Sequence, residues 1–317
     1  MDKYTLSSSP HVRSAETTGR IMLDVIIALL PATVLGVVFF GWNALWVVLV
    51  STAAAVATEA LLQKLMKKKI TITDGSAAVT GLLLALNLPP SVPLYIPIVG
   101  SVFAIAIVKQ CFGGIGSNFL NPALAARAFL MLSWTPAMTS WTMPADAVST
   151  VTPLAAIKEA GAGAPSPYLD MFLGTVGGCI GETSALALLI GGIYLVARRV
   201  IDPSIPLIYI ATVGLFTWVA GPDGLFTGDG LYHMLAGGLM LGAIYMATDY
   251  TTSPMTVKGR IIFALGCGVV TSVIRLWGGY PEGVSYSILL MNLFVPLIDR
   301  AIKPRMFGSV ALKEAGK

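Results

Sequence analysis

The stretch IMLDVIIALLPATVLGVVFF, residues 21–40, decides the fold. It carries a single charged side chain, Asp24, and is long enough to cross about 30 Å of hydrocarbon as a helix. In lipid a helix is the form such a segment takes, because it satisfies every backbone donor and acceptor internally. Outward from it the pattern repeats: about 44–65, a short 75–88 ending in Asn87-Leu-Pro89-Pro90, 95–108, 123–134, a span from 185 to Arg198, then 206–220, 234–247, 261–277 and 284–298. Composition agrees, with 56% hydrophobic and 11% charged residues over 317 positions, where soluble domains carry roughly a quarter charged. The expected fold is an all-α integral membrane protein of about ten transmembrane helices.

The halves of the chain echo one another. Thr80-Gly81-Leu-Leu-Leu-Ala-Leu-Asn87 resembles Leu241-Gly242-Ala-Ile-Tyr-Met-Ala-Thr248, and Lys109 with Gly113-Gly114 returns as Arg275 with Gly278-Gly279. With an odd number of spans per half, the second copy is inverted in the membrane, which predicts two inverted five-helix repeats. The expected divisions are an N-terminal arm (1–20), a first repeat (21–134), a polar loop (135–173), a second repeat (174–302) and a basic tail (303–317). The polar arm has no apolar core ahead of a cleavage site, so no signal peptide is expected.

Basic residues set the expected orientation. Arg20, Lys64 with Lys67–Lys69, Lys109, Arg198-Arg199, Lys258 with Arg260, and Arg300 onward fall on one side. The other side receives the Pro-Pro turn, the 135–173 loop and the glycine-rich turns, with Lys158 as the exception and Arg275 near that end. Both termini are therefore expected in the cytoplasm and the loop outside the cell membrane. The net charge of +4 follows from these span-end residues and implies no nucleic-acid partner. Cys111, Cys179 and Cys267 form no CxxC or Cys/His cluster and read as small apolar residues of packed helices, with ligation of a shared metal cluster as the alternative. No P-loop, dinucleotide fingerprint or catalytic triad appears, so NAD binding by this chain is not expected.

Six separated motifs carry a family resemblance. Arg20-Ile-Met-Leu, Thr80-Gly-Leu-Leu-Leu-Ala, Lys109-Gln, Phe112-Gly-Gly-Ile-Gly with Asn121-Pro-Ala, Gly279-Tyr-Pro281-Glu282-Gly283-Val and Val295-Pro-Leu-Ile-Asp299 resemble the D subunits of Rnf complexes. They are similar, more distantly, to the B subunits of sodium-pumping NADH:quinone oxidoreductases. The resemblance implies one electron-carrying subunit of a membrane translocase, a ferredoxin:NAD oxidoreductase that moves Na⁺ or H⁺, and not a complete enzyme. It implies other Rnf subunits (A, B, C, E and G) as partners, membrane lipid around the chain, and a flavin transferase for maturation. In such subunits FMN is joined through its phosphate to a threonine in a pattern like Asp-Gly-x-Ser-Gly-Ala-Thr. The matching positions are Asp146, Ser149 and Thr152, while Ala147, Thr150 and Val151 depart from the pattern. A second, non-covalent flavin such as riboflavin is left open.

The residue types suit that chemistry. A hydroxyl is the nucleophile that can hold a phosphodiester, and an exposed, proline-terminated loop is expected to let a transferase reach Thr152. Gly181-Glu182-Thr183-Ser184 opens a span on the same face, where backbone N–H groups serve either to hold an anion or the flavin edge or as a plain helix cap; Thr183 is the reserve attachment site. Trp134, Trp141 and Tyr168 flank the loop as interfacial residues or as flavin-stacking partners. Asp249, in Thr248-Asp-Tyr-Thr-Thr, reads as an ion or proton site of oxygen ligands or as a structural turn. Glu282 reads as an outer-surface turn residue. The rival function is a small-solute channel or secondary transporter built on inverted repeats, which has no need of the 146–154 segment.

Overall fold

The computed structural model describes residues 16–142, 149–160, 166–182, 184–221 and 224–303. Asp146 and Thr183 fall outside this set. The chain is mostly helical. Helix α1 (Thr18–Phe40) is capped by the Thr17 hydroxyl, which accepts from Arg20 N, and ends at Gly41, whose φ of 72° turns the chain directly into α2 (Trp42–Leu65). Both are long and apolar enough to cross a membrane, as are α13 and α14 below.

Between these pairs the helices are shorter. Helix α3 (Ser76–Leu86) stops at Asn87, where the Pro89-Pro90 pair that follows lacks the donors that would continue it. Helix α4 (Tyr95–Val102) runs on as a π-helical segment to Gln110. Helix α5 (Pro122–Ser133) begins as its sequence predicts, with Asn121 Oδ1 accepting from Ala123 N and Leu124 N and Pro122 in the first turn. The polar interval contains α6 (Thr135–Met138), an antiparallel pair β1 (Trp141–Thr142) and β2 (Ser149–Thr150), α7 (Pro153–Ala160) and α8 (Tyr168–Leu173).

The second half has α9 (Ala185–Ala197), α10 (Ser204–Val219), the pair β3 (Ala220–Gly221) and β4 (Gly224–Leu225), and α11 (Gly230–Leu235). A short α12 (Leu239–Leu241) continues as a π-helical stretch to Met246. Helices α13 (Val257–Trp277) and α14 (Val284–Ala301) close the bundle.

The broken segments meet in the interior. Leu86 O and Leu88 O, freed by the end of α3, accept from Gly181 N (2.8 Å) and Ile180 N (3.1 Å) on the approach to α9. A side chain at Gly181 would put its Cβ 2.6 Å from Leu86 Cβ. The crossing of α1 and α9 is tighter: a Cβ on Gly191 would lie 2.0 Å from Ala28 O and 2.2 Å from the Tyr245 hydroxyl. That hydroxyl lies within hydrogen-bonding distance of both Ala28 O (3.2 Å) and Leu188 O (3.0 Å), joining α1, α9 and the second π-helical segment. Gly191→Ala is therefore expected to cost at least about 1–3 kcal/mol through overpacking, read as a lowered unfolding midpoint in detergent. Gly279→Ala, in open space, serves as the control, and equal effects from the two would refute the wedge.

Two ends can be told apart. One gathers Thr18, Lys109, Val200 and Asp249 around a cavity, and the other gathers Thr139, Trp141, Val151 and Tyr280 around a second one. Helix α5 spans between them, Asn121 lining the first and Met131 the second, a rise of about 15 Å. Lys158, the basic residue out of pattern, is fixed at the second end. Its Nζ donates to Arg275 O (3.4 Å), Gly278 O and Tyr280 O (3.2 Å), at the electronegative C-terminus of α13.

Candidate functional site

At the second end a cavity of about 350 Å³ is lined by Arg127, Ala128 and Met131 of α5, Thr139, Trp141, Val151 and Ala155, and Tyr280 to Tyr286 around the start of α14. Its volume falls in the range of small-ligand sites, about 300–1,000 Å³. Trp141, Tyr280 and Tyr286 give it aromatic walls, and Arg127, Glu282 and Ser285 a polar side. The Tyr286 hydroxyl is buried without a hydrogen-bond partner. A buried phenol left so is a polar group the described residues do not satisfy.

Arg127 is the hub behind this cavity. Its Nη1 donates to Asn87 Oδ1 (2.8 Å), Glu182 Oε1 (3.1 Å) and Ser285 Oγ (3.2 Å), and its Nη2 to Glu282 and to Cys179 Sγ (3.7 Å). It is 4% exposed. One guanidinium thus ties together the end of α3, the lead into α9 and the start of α14. Glu282 is not the solvated turn residue expected from its Gly-rich setting: its carboxylate is drawn inward to the buried guanidinium. Within 181–184, the plain helix cap is the reading the structure bears out. Ser184 caps α9, accepting from Ala187 N at 3.3 Å, while Glu182 turns to Arg127.

Thr152 lies beside this hub. Val151 before it and Ala155 after it line the cavity, and Thr152 itself lines a narrow cleft with Gly177, Gly178, Glu182, Gly237 and Glu282. The structure thereby brings Thr152 and Glu182 together, as their common face predicts. It corrects the expected accessibility: Thr152 is 5% exposed. Its hydroxyl accepts from Ala155 N (3.3 Å) and its carbonyl from Ala156 N (2.9 Å), so it is the N-cap of α7 rather than a loop residue free in water. The backbone of Ser149 pairs in β2, two residues from Val151.

Of the flanking aromatics, only Trp141 reaches the cavity. Trp134 packs edge-on against Tyr95 and Phe129, and the Tyr168 hydroxyl donates to Asp229. That contact and burial push the Tyr168 hydroxyl above its ordinary range.

Asp249 is at the opposite end and shares nothing with Thr152. Its Oδ2 accepts from Thr251 Oγ1 (2.9 Å) and Thr252 Oγ1 (3.1 Å), the geometry of a closed turn, and it lines the larger inner cavity of about 390 Å³. Lys109 borders the same cavity and belongs to a second buried polar cluster. Its Nζ contacts Glu59 Oε2 (2.9 Å) and Ser76 Oγ (2.6 Å), and Glu59 Oε1 also accepts from Gln110 (2.8 Å) and Gln63 (3.2 Å). Neither Arg127 nor the Glu59–Lys109 pairing is among the sequence-based expectations. A lone arginine inside an apolar span is the signal that points to the first, since such a charge is costly in lipid and faces the bundle interior.

The fold and these sites define a multi-pass membrane protein with charged clusters buried between broken helices and a ligand-sized cavity toward each end. The chain belongs to the NQR2, RnfD, RnfE family, whose model matches residues 5–308. It is 55% identical over 317 residues to the D subunit of the Na(+)-translocating ferredoxin:NAD(+) oxidoreductase complex of Acetobacterium woodii, covering 99% of this chain and 98% of that one. It is 52% identical over 319 residues to the D subunit of the proton-translocating ferredoxin:NAD(+) oxidoreductase complex of Clostridium ljungdahlii, covering 96% of each. Identity to the D subunit of an Escherichia coli ion-translocating oxidoreductase complex is 34% over 348 residues, 96% of this chain and 98% of that one.

Proposed function

We propose that this chain is the D-type membrane subunit of an ion-translocating ferredoxin:NAD oxidoreductase and carries FMN covalently on Thr152. The observation that carries the flavin reading is the setting of Thr152, flanked by residues that line an aromatic-walled cavity with an unpartnered phenol. FMN, when bound, supplies a carrier that takes and returns electrons. The Thr152 hydroxyl would hold the phosphodiester. Trp141, Tyr280 and Tyr286 would flank the ring system, with Arg127 and the Tyr286 hydroxyl as donors toward it. Because Thr152 is buried in a cleft lined by Gly177, Gly178, Glu182, Gly237 and Glu282, attachment by the transferase precedes, or requires, opening of that cleft.

The distribution of basic residues supports cytoplasmic termini and an outward-facing Thr152. Among the described residues, four long apolar helices and five shorter ones, with the broken stretch from Gly230 to Met246 as a tenth, support ten crossings arranged as two inverted five-helix repeats. The inner cavity, of similar volume, is the place we assign to a second, non-covalent flavin such as riboflavin. Electrons would pass between these carriers and those of the A, B, C, E and G subunits. The relatives' names, one sodium- and one proton-translocating, favour the redox reading over a solute channel.

The test is flavin fluorescence of the denatured chain on a gel after co-production with a flavin transferase. Wild type is expected to fluoresce and Thr152→Ala to be dark. Fluorescence that survives Thr152→Ala would move attachment to Thr150 or Thr183, and a dark wild type would refute the flavin reading.

A further inference from the structure

The Arg127 hub holds one more carboxylate than it has cations in contact. Glu182 and Glu282 each touch Arg127, and their carboxylate oxygens lie within 4.8 Å of one another and of Cys179 Sγ. Two buried carboxylates this close, sharing one guanidinium, favour holding one proton over carrying two full charges. The other charged or titratable groups facing the pair do not replace it. Arg275 of α13 acts through its field alone, its Nη atoms donating to His233 O and Ala236 O at the end of α11. Cys179 gives its thiol proton to Asn87 O (3.2 Å), and Tyr286, with Tyr280 beside it, stands on the cavity side. Burial first, then the Glu282 charge, holds Glu182 above the ordinary glutamate range, with Arg127 pulling the other way.

The two members differ in access. The Glu282 side chain is 17% exposed and lines the cavity, whereas that of Glu182 is 3% exposed and lines the Thr152 cleft behind it. A proton can enter through Glu282 and be held between the two.

We propose that Glu182 and Glu282 form a redox-linked proton acceptor: the pair shares one proton when the outer cavity is uncharged and binds a second when negative charge enters it. This rests on the flavin reading above. The balance is simple. An electron supplied by a partner subunit's redox carrier adds one negative charge beside the hub, and one proton from outer water converts the remaining carboxylate to a carboxylic acid. Arg127 then carries the charge that offsets the electron. When the electron leaves, the proton returns to water. The low-dielectric setting makes this coupling strong, since two unit charges interact several-fold more strongly there than in water.

The intact complex, with the covalent flavin as its own reporter, provides the test. The flavin midpoint potential would be titrated by visible spectroelectrochemistry across pH for wild type, Glu182→Gln and Glu282→Gln. The pH slope is expected to weaken in either variant while the flavin stays attached. Redox-induced infrared difference spectra of wild type are expected to show a carboxylic-acid C=O band rising on reduction and lost in the amide variants. Attached flavin with unchanged slopes in both variants overturns the proton role alone. So does a wild-type spectrum lacking that band, which covers the case in which the variants fail to fold. A wild-type chain without flavin overturns both this role and the reading beneath it.

Discussion

Replacing Arg127 by Met is expected to cost about 3–5 kcal/mol of folding stability, the penalty for stranding a buried ionic partner. The guanidinium is the shared donor for Asn87, Glu182, Ser285 and Glu282, so its removal leaves acceptors on three segments facing one another with no cation between them. Methionine fills comparable volume, so the loss reports charge and hydrogen bonding rather than a cavity. The sign of its pH dependence follows. Without Arg127, buried Glu182 loses the charge that pulls it down and favours the protonated form in the folded chain, above its unfolded value of about 4.3. The folded state then binds more protons than the unfolded state, and stability falls as pH rises above that value. Unfolding of Arg127→Met in detergent should therefore show its smallest deficit near pH 5 and a larger one near pH 8. Arg127→Lys keeps the charge but not the planar fork, and is expected to fall between. A deficit below about 1 kcal/mol, or one that does not vary with pH, would remove Arg127 from the centre of this account.

The helices and the site were not equally legible in the sequence. Helix α5 was readable to within a residue at each end, because Asn121 acts through backbone groups two or three positions away. The break after α3 was readable for the same local reason, at Asn87-Leu-Pro89-Pro90. Thr152 was reached through the spacing of Asp146, Ser149 and Thr152 and the family it resembles, not through anything local that marks it as special. Its burial could not be foreseen, since the cleft around it is made by residues 176–178, 182, 235–237 and 282. Glu282 was misread for the same reason. Between Gly279 and Gly283 it has the look of a solvated turn, and the guanidinium that draws it inward is 155 positions away in sequence. Charge within a span is where sequence can point to such long-range partners, and Arg127 was that pointer.

The same reasoning applied to the other polar cluster yields a prediction of similar size. Lys109→Met is expected to destabilise the chain by about 3–5 kcal/mol, because it strands the Glu59 carboxylate on α2, with only the Gln63 and Gln110 amides to stabilise it. Those amides are neutral donors, roughly half as strong toward a carboxylate as a charged one. Here a compensating change is available. Glu59→Gln in the Lys109→Met background removes the stranded charge and leaves an amide among amides, so the double variant should recover most of the lost stability. The coupling between the two positions, read from a double-mutant cycle, is then expected to reach about 2–3 kcal/mol, far beyond the few tenths typical of independent sites. The pair joins α2 to the end of the first π-helical segment, and Lys109 also binds Ser76 at the start of α3. The cycle therefore measures how firmly the first half of the chain is pinned around the inner cavity. Additive effects would mean that Glu59 and Lys109 are each stabilised by other groups, and the inner cluster would lose its role in fixing that wall.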